Sequence, residues 1–556
     1  MVTTPPGEFP DGVPSEPAFP FGQRPLHEYV AQYADEQPDR VAINYYGTEI
    51  TYGELGDSID RFATYLDERG YGRGDTLLLL LQNCPQYVVA YYAAQKLGMR
   101  VSPCSPMSKE HRLSYQLSDG DAQIAVAGDT HASLLEAVRD ETPLEEVVYA
   151  RFETYLPDEP VPAIHDDMAE AIEAARQPAS DGVSYVETIL DETPADPPAV
   201  DVAMDDICLL QYTSGTTGLP KGCMHSYENV LFAAATSSAL TDRDETTRHL
   251  AVMPVFHVAG KLNAVDSPMV QGGTTVLLTR YEPEAYVDAL AAHEPTNGWI
   301  TTPMVRELLP LLENDVREID SLESMPVTSF GQALTEDLCE RWAGVTDSTM
   351  YEAAYGLTET HTRDTFTQGL GVVEEGFVGK PVYDTDIVIR DWETHEAVPR
   401  GETGEITVDS PSLFEGYLGK PEETEAAFHD GYVLTGDIGR MTEDGALYFL
   451  GRRKYMIKSS GYSIAPAEVE EVLKTHADIA NAAVVGRDHE TKGSEVVAAV
   501  TLANGSLAEG EFLEWAETQL AAYKRPRDVV VLDQLPVTDM GKLDREALED
   551  VIATES

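Results

Sequence analysis

The stretch Tyr212-Thr213-Ser214-Gly215-Thr216-Thr217-Gly218-Leu219-Pro220-Lys221-Gly222 packs four Ser/Thr hydroxyls, three glycines and one lysine into eleven positions. Glycines admit positive φ, so the backbone N–H groups of such a loop can turn inward and form an anion-binding nest. The hydroxyls of Thr213, Ser214, Thr216 and Thr217 add donors, and Lys221 adds a mobile positive charge. A polyphosphate suits that set. A Walker A loop needs Gly directly before its lysine, and here Pro220 stands there. Composition alone favours an ordinary surface turn. The order of residues across the whole stretch is far more specific, and it argues for phosphate.

Further candidates lie downstream. Phe256-His257-Val258-Ala259-Gly260 follows Met253-Pro254; a lone histidine in such a place reads first as a satisfied structural residue. In Ser329-Phe330-Gly331-Gln332-Ala333-Leu334, Gly331 would let a flat ring approach the backbone. Tyr351 precedes Tyr355-Gly356-Leu357-Thr358-Glu359, a motif that ends on a hydroxyl and a carboxylate and is weak evidence when taken alone. Asp437 closes Tyr432-Val433-Leu434-Thr435-Gly436-Asp437; an Asp in a turn is commonplace, and it is the flanking Thr435-Gly436 that sets this one apart. Gly451-Arg452-Arg453-Lys454 is a basic run in an acidic chain, continued by a segment through Gly461 to Glu468. Lys542 sits in the Pro-started turn Pro536-Val537-Thr538-Asp539-Met540-Gly541-Lys542, and Tyr523-Lys524-Arg525-Pro526 precedes it.

In this order these motifs resemble the adenylate-forming enzymes, which include acyl-CoA synthetases, firefly luciferase and the adenylation domains of peptide synthetases. The matches run from about residue 50 to 545. The resemblance implies that Thr213, Ser214, Gly215, Thr216, Thr217, Gly218 and Lys221 hold the pyrophosphate part of ATP. It puts adenine against the turn with Gly331, Gln332 and Ala333 and under Tyr355, counts Tyr351 among the ATP-binding residues, and places the α-phosphate near Thr358, Mg²⁺ on Glu359, and ribose on Asp437 with Arg452 reaching the nucleotide. His257 becomes part of an aromatic–His gate over the substrate carboxylate, Lys454 the pivot of a mobile domain, Gly461 part of the path of the CoA thiol, and Lys542 the catalytic lysine. Amino-acid-activating relatives carry Asp where this chain has His257, which weighs against an amino-acid substrate. Relatives that take long acyl chains often have Gly where Phe330 stands. The expected activity is AMP-forming ligation of a medium- or long-chain fatty acid, or a similar carboxylate, to CoA. An enzyme that loads a carrier protein and a non-catalytic nucleotide-binding regulator are the alternatives. A homodimer is left open.

The elements that must position these residues alternate. Residues 41–46, 77–81, 123–127 and 207–211 read as strands. Thr51-Tyr52-Gly53-Glu54 is a capping box that opens a helix with Leu55, Ile59, Phe62 and Leu66 on one face. Residues 86–97 form a helix closed by Gly98, and Ser226 caps one through Val230, Leu231, Ala234 and Ala235. Strand-like runs recur at 250–255, 274–278 and 298–302. The segment 141–206, acidic and rich in Pro, is expected to be a surface excursion, and residues up to about 25 to be flexible. The fold class is therefore α/β. From about Tyr383 short strands without long helices (387–389, 404–408, 446–449) indicate a small β-barrel-like subdomain over about 383–450. The expected division is a large layered domain over 1–451 and a small mobile α+β domain over 452–556, with a helix at 466–474, strands at 482–485, 496–501 and 529–532, and a helix around 512–520.

At 556 residues the chain exceeds one core. Its 97 acidic against 38 basic residues give a net charge of −59, which excludes a nucleic-acid binder. The acid is spread along the chain, not gathered in a tail, as in a protein kept hydrated in concentrated salt; a halophilic cytoplasm is the expectation. Cys84, Cys104, Cys208, Cys223 and Cys339 show no metal spacing and read as free thiols. No run is long enough to span a membrane.

Overall fold

The computed structural model describes residues 9–10, 13–175, 184–213, 219–241, 243–314, 317, 319–329, 332–459, 462–464, 466–489, 493–503, 507–538 and 542–555. Two largely parallel sheets form the larger part. In one, the strand order is Ser184–Tyr185, Glu146–Ala150, Ala122–Gly128, Thr76–Leu80, Arg100–Pro103, Ile207–Tyr212 and Gly222–Ser226. In the other it is Ile300–Thr301, Ser324–Thr328, Asn297–Gly298, Arg248–Ala251, Thr274–Leu277, Val41–Tyr45 and Thr48–Thr51, with Thr349–Glu352 also paired to Ser324–Thr328. Both sheets are covered on both faces, as parallel strands require. The strand Thr76–Leu80 shows how: Leu77 and Leu79 enter the central core, while Leu78 and Leu80 pack with Leu113, Leu117, Leu135 and Val138 on the other side.

That central core holds two helices with almost no exposed face. Pro85–Lys96 buries Pro85 through Gln95, and Tyr227–Leu240 buries all but Glu228. Runs such as Ala233-Ala234-Ala235 lack a polar stripe, and a helix apolar all round belongs inside. Thr51 and Glu54 form the expected capping box, and Ser226 forms one with Asn229.

Three local expectations change. Residues 141–206 are not a bare excursion: Glu146–Ala150 pairs in parallel with Ala122–Gly128, and Val148, Ala150, Val186 and Ile189 are buried. Charged residues flank these short apolar strands and mask their period. The described N-terminal residues also pack, with Phe9 4.9 Å from the Phe366 ring and 4.6 Å from Tyr383. Finally, the Thr213–Lys221 loop does not lead from strand to helix. It joins Ile207–Tyr212 to an antiparallel partner, Gly222–Ser226, and the helix capped by Ser226 follows that second strand.

A third, all-antiparallel sheet runs in the order Thr365–Phe366, Phe377–Pro381, Leu447–Arg452, Tyr432–Met441, Thr403–Asp409 and Asp386–Arg390, so two of its strands precede Tyr383. A fourth sheet contains Tyr462–Ile464, Ile457–Ser459, Gly493–Leu502, Ile479–His489 and Asp528–Val531. It has its own core, built around Val469, Leu473, Val484, Ala498, Val500 and Phe512. No helix among the described residues is long and apolar enough to cross a membrane.

Candidate active site

The parallel strands of both large sheets end at one cavity of about 1940 Å³, as ligand sites in open α/β sheets do. Tyr212 and Thr213 reach it from the end of Ile207–Tyr212, Thr328 and Ser329 from Ser324–Thr328, and Glu352 from Thr349–Glu352. The third sheet adds Asp437 and Arg452, and the fourth part of the chain adds Lys542.

Thr213, Lys221, His257, Gln332, Ala333, Tyr355, Thr358, Glu359, Asp437, Arg452, Lys454 and Lys542 all line this cavity. Ser214, Gly215, Thr216, Thr217, Gly218, Gly331 and Gly461 lie outside the described residues. Tyr351 is described but does not line the wall. Successive strand residues face opposite ways, and in Thr349–Glu352 it is Glu352 that faces the cavity.

Several of the residues that the sequence resemblance assigns to the nucleotide are bonded to one another. Thr213 N–H donates to the Lys221 carbonyl at 3.0 Å, and Lys221 N–H donates to Thr213 Oγ1 at 3.1 Å, closing the mouth of the hairpin. Lys221 Nζ lies 3.3 Å from Glu423 and 4.0 Å from the centre of the Tyr417 ring. Tyr355 donates its hydroxyl to Asp437 Oδ2 at 2.8 Å, while Arg452 Nε lies 2.9 Å from Asp437 Oδ1. Burial pushes the Asp437 carboxyl up to about 6, against the pull of Arg452 and Tyr355. Burial works most strongly against the Arg452 charge, but Asp437, Tyr355, Glu359 and Tyr455 together outweigh it and hold the guanidinium above its usual value.

Lys542 is held by a turn in which Thr538 N–H donates to the Lys542 carbonyl at 2.7 Å. Its exposed surface belongs to the cavity wall, so its desolvation is partial; the surrounding protein, then Arg452, lower its pKa, and Asp437 opposes them. Burial, with the Lys542 charge adding to it, takes His257 down to about 3, so the imidazole is neutral. Ala259 N–H donates to His257 Nδ1 at 3.3 Å, which leaves the proton on Nε2. Lys454, in the turn Arg453–Tyr455, lies 4.0 Å from Glu546.

Sequence reasoning missed Tyr417, whose hydroxyl donates to Glu359 Oε1 at 2.8 Å. It also missed Glu352, which accepts from Ser329 N–H at 3.0 Å and from its hydroxyl at 2.5 Å, and which burial pushes up to about 7. No periodicity marks either residue. Among the described residues no cluster of three or more His, Cys, Asp or Glu could hold a metal by itself. The donor set fits Mg²⁺ that arrives on a triphosphate, since such an ion needs only one or two protein carboxylates and Glu359 lines the wall.

Comparison with known proteins agrees with this geometry. The chain is 30% identical over 554 residues to a long-chain-fatty-acid–CoA ligase of Bacillus subtilis, covering 97% of this chain and 96% of that one. It is 29% identical to a feruloyl-CoA synthase of an Amycolatopsis species, over 93% and 97% of the two chains. Its fold matches O-succinylbenzoate coenzyme A synthetase of Bacillus subtilis, solved with ATP and magnesium, with a TM-score of 0.76, 27% identity, and coverage of 95% and 100%. The profile of the AMP-binding enzymes matches residues 30–418 and that of the AMP-binding enzyme C-terminal domain residues 468–542, so the chain belongs to the AMP-binding enzyme family.

Proposed function

We propose that the protein is an ATP-dependent acid–CoA ligase that works through an acyl-adenylate. The observation that carries this reading is the presence of Lys542, from near the chain end, in the same cavity as Thr213, Lys221, Glu359 and Asp437. A substrate carboxylate attacks the α-phosphorus of ATP, forming the acyl-phosphate bond and expelling pyrophosphate. The thiol of CoA then attacks the acyl carbon, and AMP leaves as the thioester forms. Lys542 and Lys221 offset charge on the phosphoryl oxygens, Asp437 accepts from the ribose hydroxyls, and the Nε2–H of neutral His257 can donate to the substrate carboxylate. Glu359 would hold Mg²⁺, whose contribution when bound is further neutralisation of the triphosphate.

The second half-reaction needs a path for the thiol. In this reading residues from about 452 onward turn about Lys454 and withdraw Lys542 between the two steps. The relatives act on fatty, aromatic and succinyl acids, which supports acid–CoA ligation without selecting the acid. The walls around Phe256, Leu262, Trp299 and Leu334 suit an extended carbon chain, such as that of a medium- or long-chain acid. The net charge of −59 supports work in concentrated salt.

The test is pyrophosphate release on a panel of short, medium, long and aryl acids, with and without CoA. Release that depends on acid, with CoA consumed, is the expected result. Release without CoA consumption would favour a carrier-protein acceptor, and no release with any acid would sink the proposal.

A further inference from the structure

The cavity wall differs in charge from the rest of the chain. Among the described residues, ten of the 38 Lys and Arg residues line it, against only ten of the 97 Asp and Glu residues. Several of these cations have protein counter-ions: Lys221 with Glu423, Arg452 with Asp437, Lys454 with Glu546, and Arg545 with Glu470. Arg363 does not. It is 5% exposed, it lines the cavity, and its Nε has no acceptor among the described residues.

Among the described residues no carboxylate pairs with it. Its sequence neighbour Asp364 accepts from the Thr360 hydroxyl instead. The charge nearest in kind is another buried cation, Arg243, 6% exposed, which donates to the Asn263 carbonyl at 3.1 Å and to Asn263 Oδ1 at 3.3 Å. Arg363 bears on Arg243 with like sign; burial lowers the Arg363 pKa, and the phenol groups of Tyr351 and Tyr383 nearby oppose that shift without supplying a carboxylate. A guanidinium buried without a counter-ion is costly, and a bound anion would relieve that cost.

The place of the pair says which anion. Asn263, which fixes Arg243, lines the cavity next to Leu262, six residues beyond His257. The nucleotide wall is built from Thr213, Lys221, Glu359, Asp437 and Arg452, and none of these groups is among the electrostatic neighbours of Arg363. The phosphates have their own cations in Lys221 and Lys542. Arg363 is therefore placed for the far end of the acid.

We propose that Arg363 determines specificity by receiving a second, distal carboxylate on the acid being activated, with Arg243 held on Asn263 as its support. The inference rests on the acid–CoA ligase reading and narrows its substrate class to acids with an anionic tail. An Arg–carboxylate pair can be bidentate, and it is discriminating because a methyl terminus would leave the cation unpaired.

The test pairs acids of equal length: hexanoate with adipate, octanoate with suberate, and decanoate with sebacate, each read as pyrophosphate release. At one length the diacid should be favoured by about tenfold or more in kcat/KM. Arg363→Met should remove that preference, mainly through KM, and Arg363→Lys should restore part of it. Without substrate, Arg363→Met should melt at or above the wild-type temperature, since an unpaired buried charge is lost. A clear fall in that melting temperature would mean that Arg363 has a protein counter-ion, and would overturn the inference. So would a diacid preference that survives Arg363→Met, the absence of any diacid preference, or a thermal shift by chloride alone that equals the diacid's. Release with monoacids and no role for Arg363 defeats this inference only; no release with any acid defeats the ligase reading with it.

Discussion

Tyr417 donates its hydroxyl to Glu359 Oε1 at 2.8 Å, and its ring lies 4.0 Å from Lys221 Nζ. One side chain thus aims both the carboxylate assigned to the metal and the lysine assigned to the phosphates. Tyr417→Phe keeps the ring under Lys221 and removes only the hydrogen bond to Glu359. A hydrogen bond to a charged group is worth about 1.5–3 kcal/mol, so pyrophosphate release should fall by about tenfold or more. The loss should be partly restored at high Mg²⁺. A variant with unchanged rate and unchanged Mg²⁺ dependence would show that Glu359 needs no such support.

Asp437 gives a pH dependence of known sign. Its carboxyl is raised from 3.8 to about 6 by burial, so the folded protein binds this proton more tightly than the unfolded chain does. From this group, stability rises as pH falls through about 6 toward 4, by on the order of 3 kcal/mol, and is lost as pH climbs back. Nucleotide binding should move the other way, because only the carboxylate accepts from two ribose hydroxyls. The KM for ATP should rise as pH falls below about 6, while Asp437→Asn should flatten that profile and raise the melting temperature near neutral pH. A KM for ATP that ignores pH in this window would remove Asp437 from the ribose.

Much of this was legible because it is local. The capping boxes at Thr51 and Ser226, the strand Thr76–Leu80 and the helix Pro85–Lys96 each carry their own signal in a few residues. Thr358, Glu359, Asp437, Arg452 and Lys542 are singled out by order of motif, and all five line one cavity. What could not be read was set by distant partners. The hairpin under Lys221 is closed by Gly222–Ser226, a strand too short and mixed to show a period. Sequence gives no face to Tyr351, because the strand Thr349–Glu352 carries no clear alternation; in the fold its neighbour Glu352 lines the cavity. Tyr417 matters through a residue 58 positions away and Arg363 through a missing counter-ion, and neither leaves a mark in the chain.

On the proposed reading Lys542 serves the first half-reaction and not the second. It shares the cavity with Glu359 and Thr213, and its charge reaches both His257 and Asp437. Removing one preorganised cation from the developing phosphoryl charge should cost about a hundredfold to a thousandfold in rate. Lys542→Ala should therefore lose acyl-AMP formation to that extent, yet still form thioester from supplied acyl-AMP and CoA. Equal loss in both assays would mean that the lysine supports the fold or both steps, and its assignment to adenylation would fail.

Salt should act on stability and on nucleotide binding in opposite directions. The surface carries most of a net charge of −59, so the folded chain repels itself until ions screen it. The screening length is about 10 Å at 0.1 M salt and about 3 Å at 1 M, so repulsion between surface carboxylates reaches much less far in molar salt. The melting temperature should therefore climb steeply from dilute to molar KCl, and sucrose at matched water activity should not replace the salt. The described cavity wall is balanced in charge, and on the proposed reading it draws an anionic nucleotide through Lys221, Arg452 and Lys542, an attraction that the same ions weaken. The KM for ATP should accordingly rise over the salt range in which the protein becomes more stable. Melting temperatures that do not change between dilute and molar KCl would rule out adaptation to salt, whatever the assays of activity show.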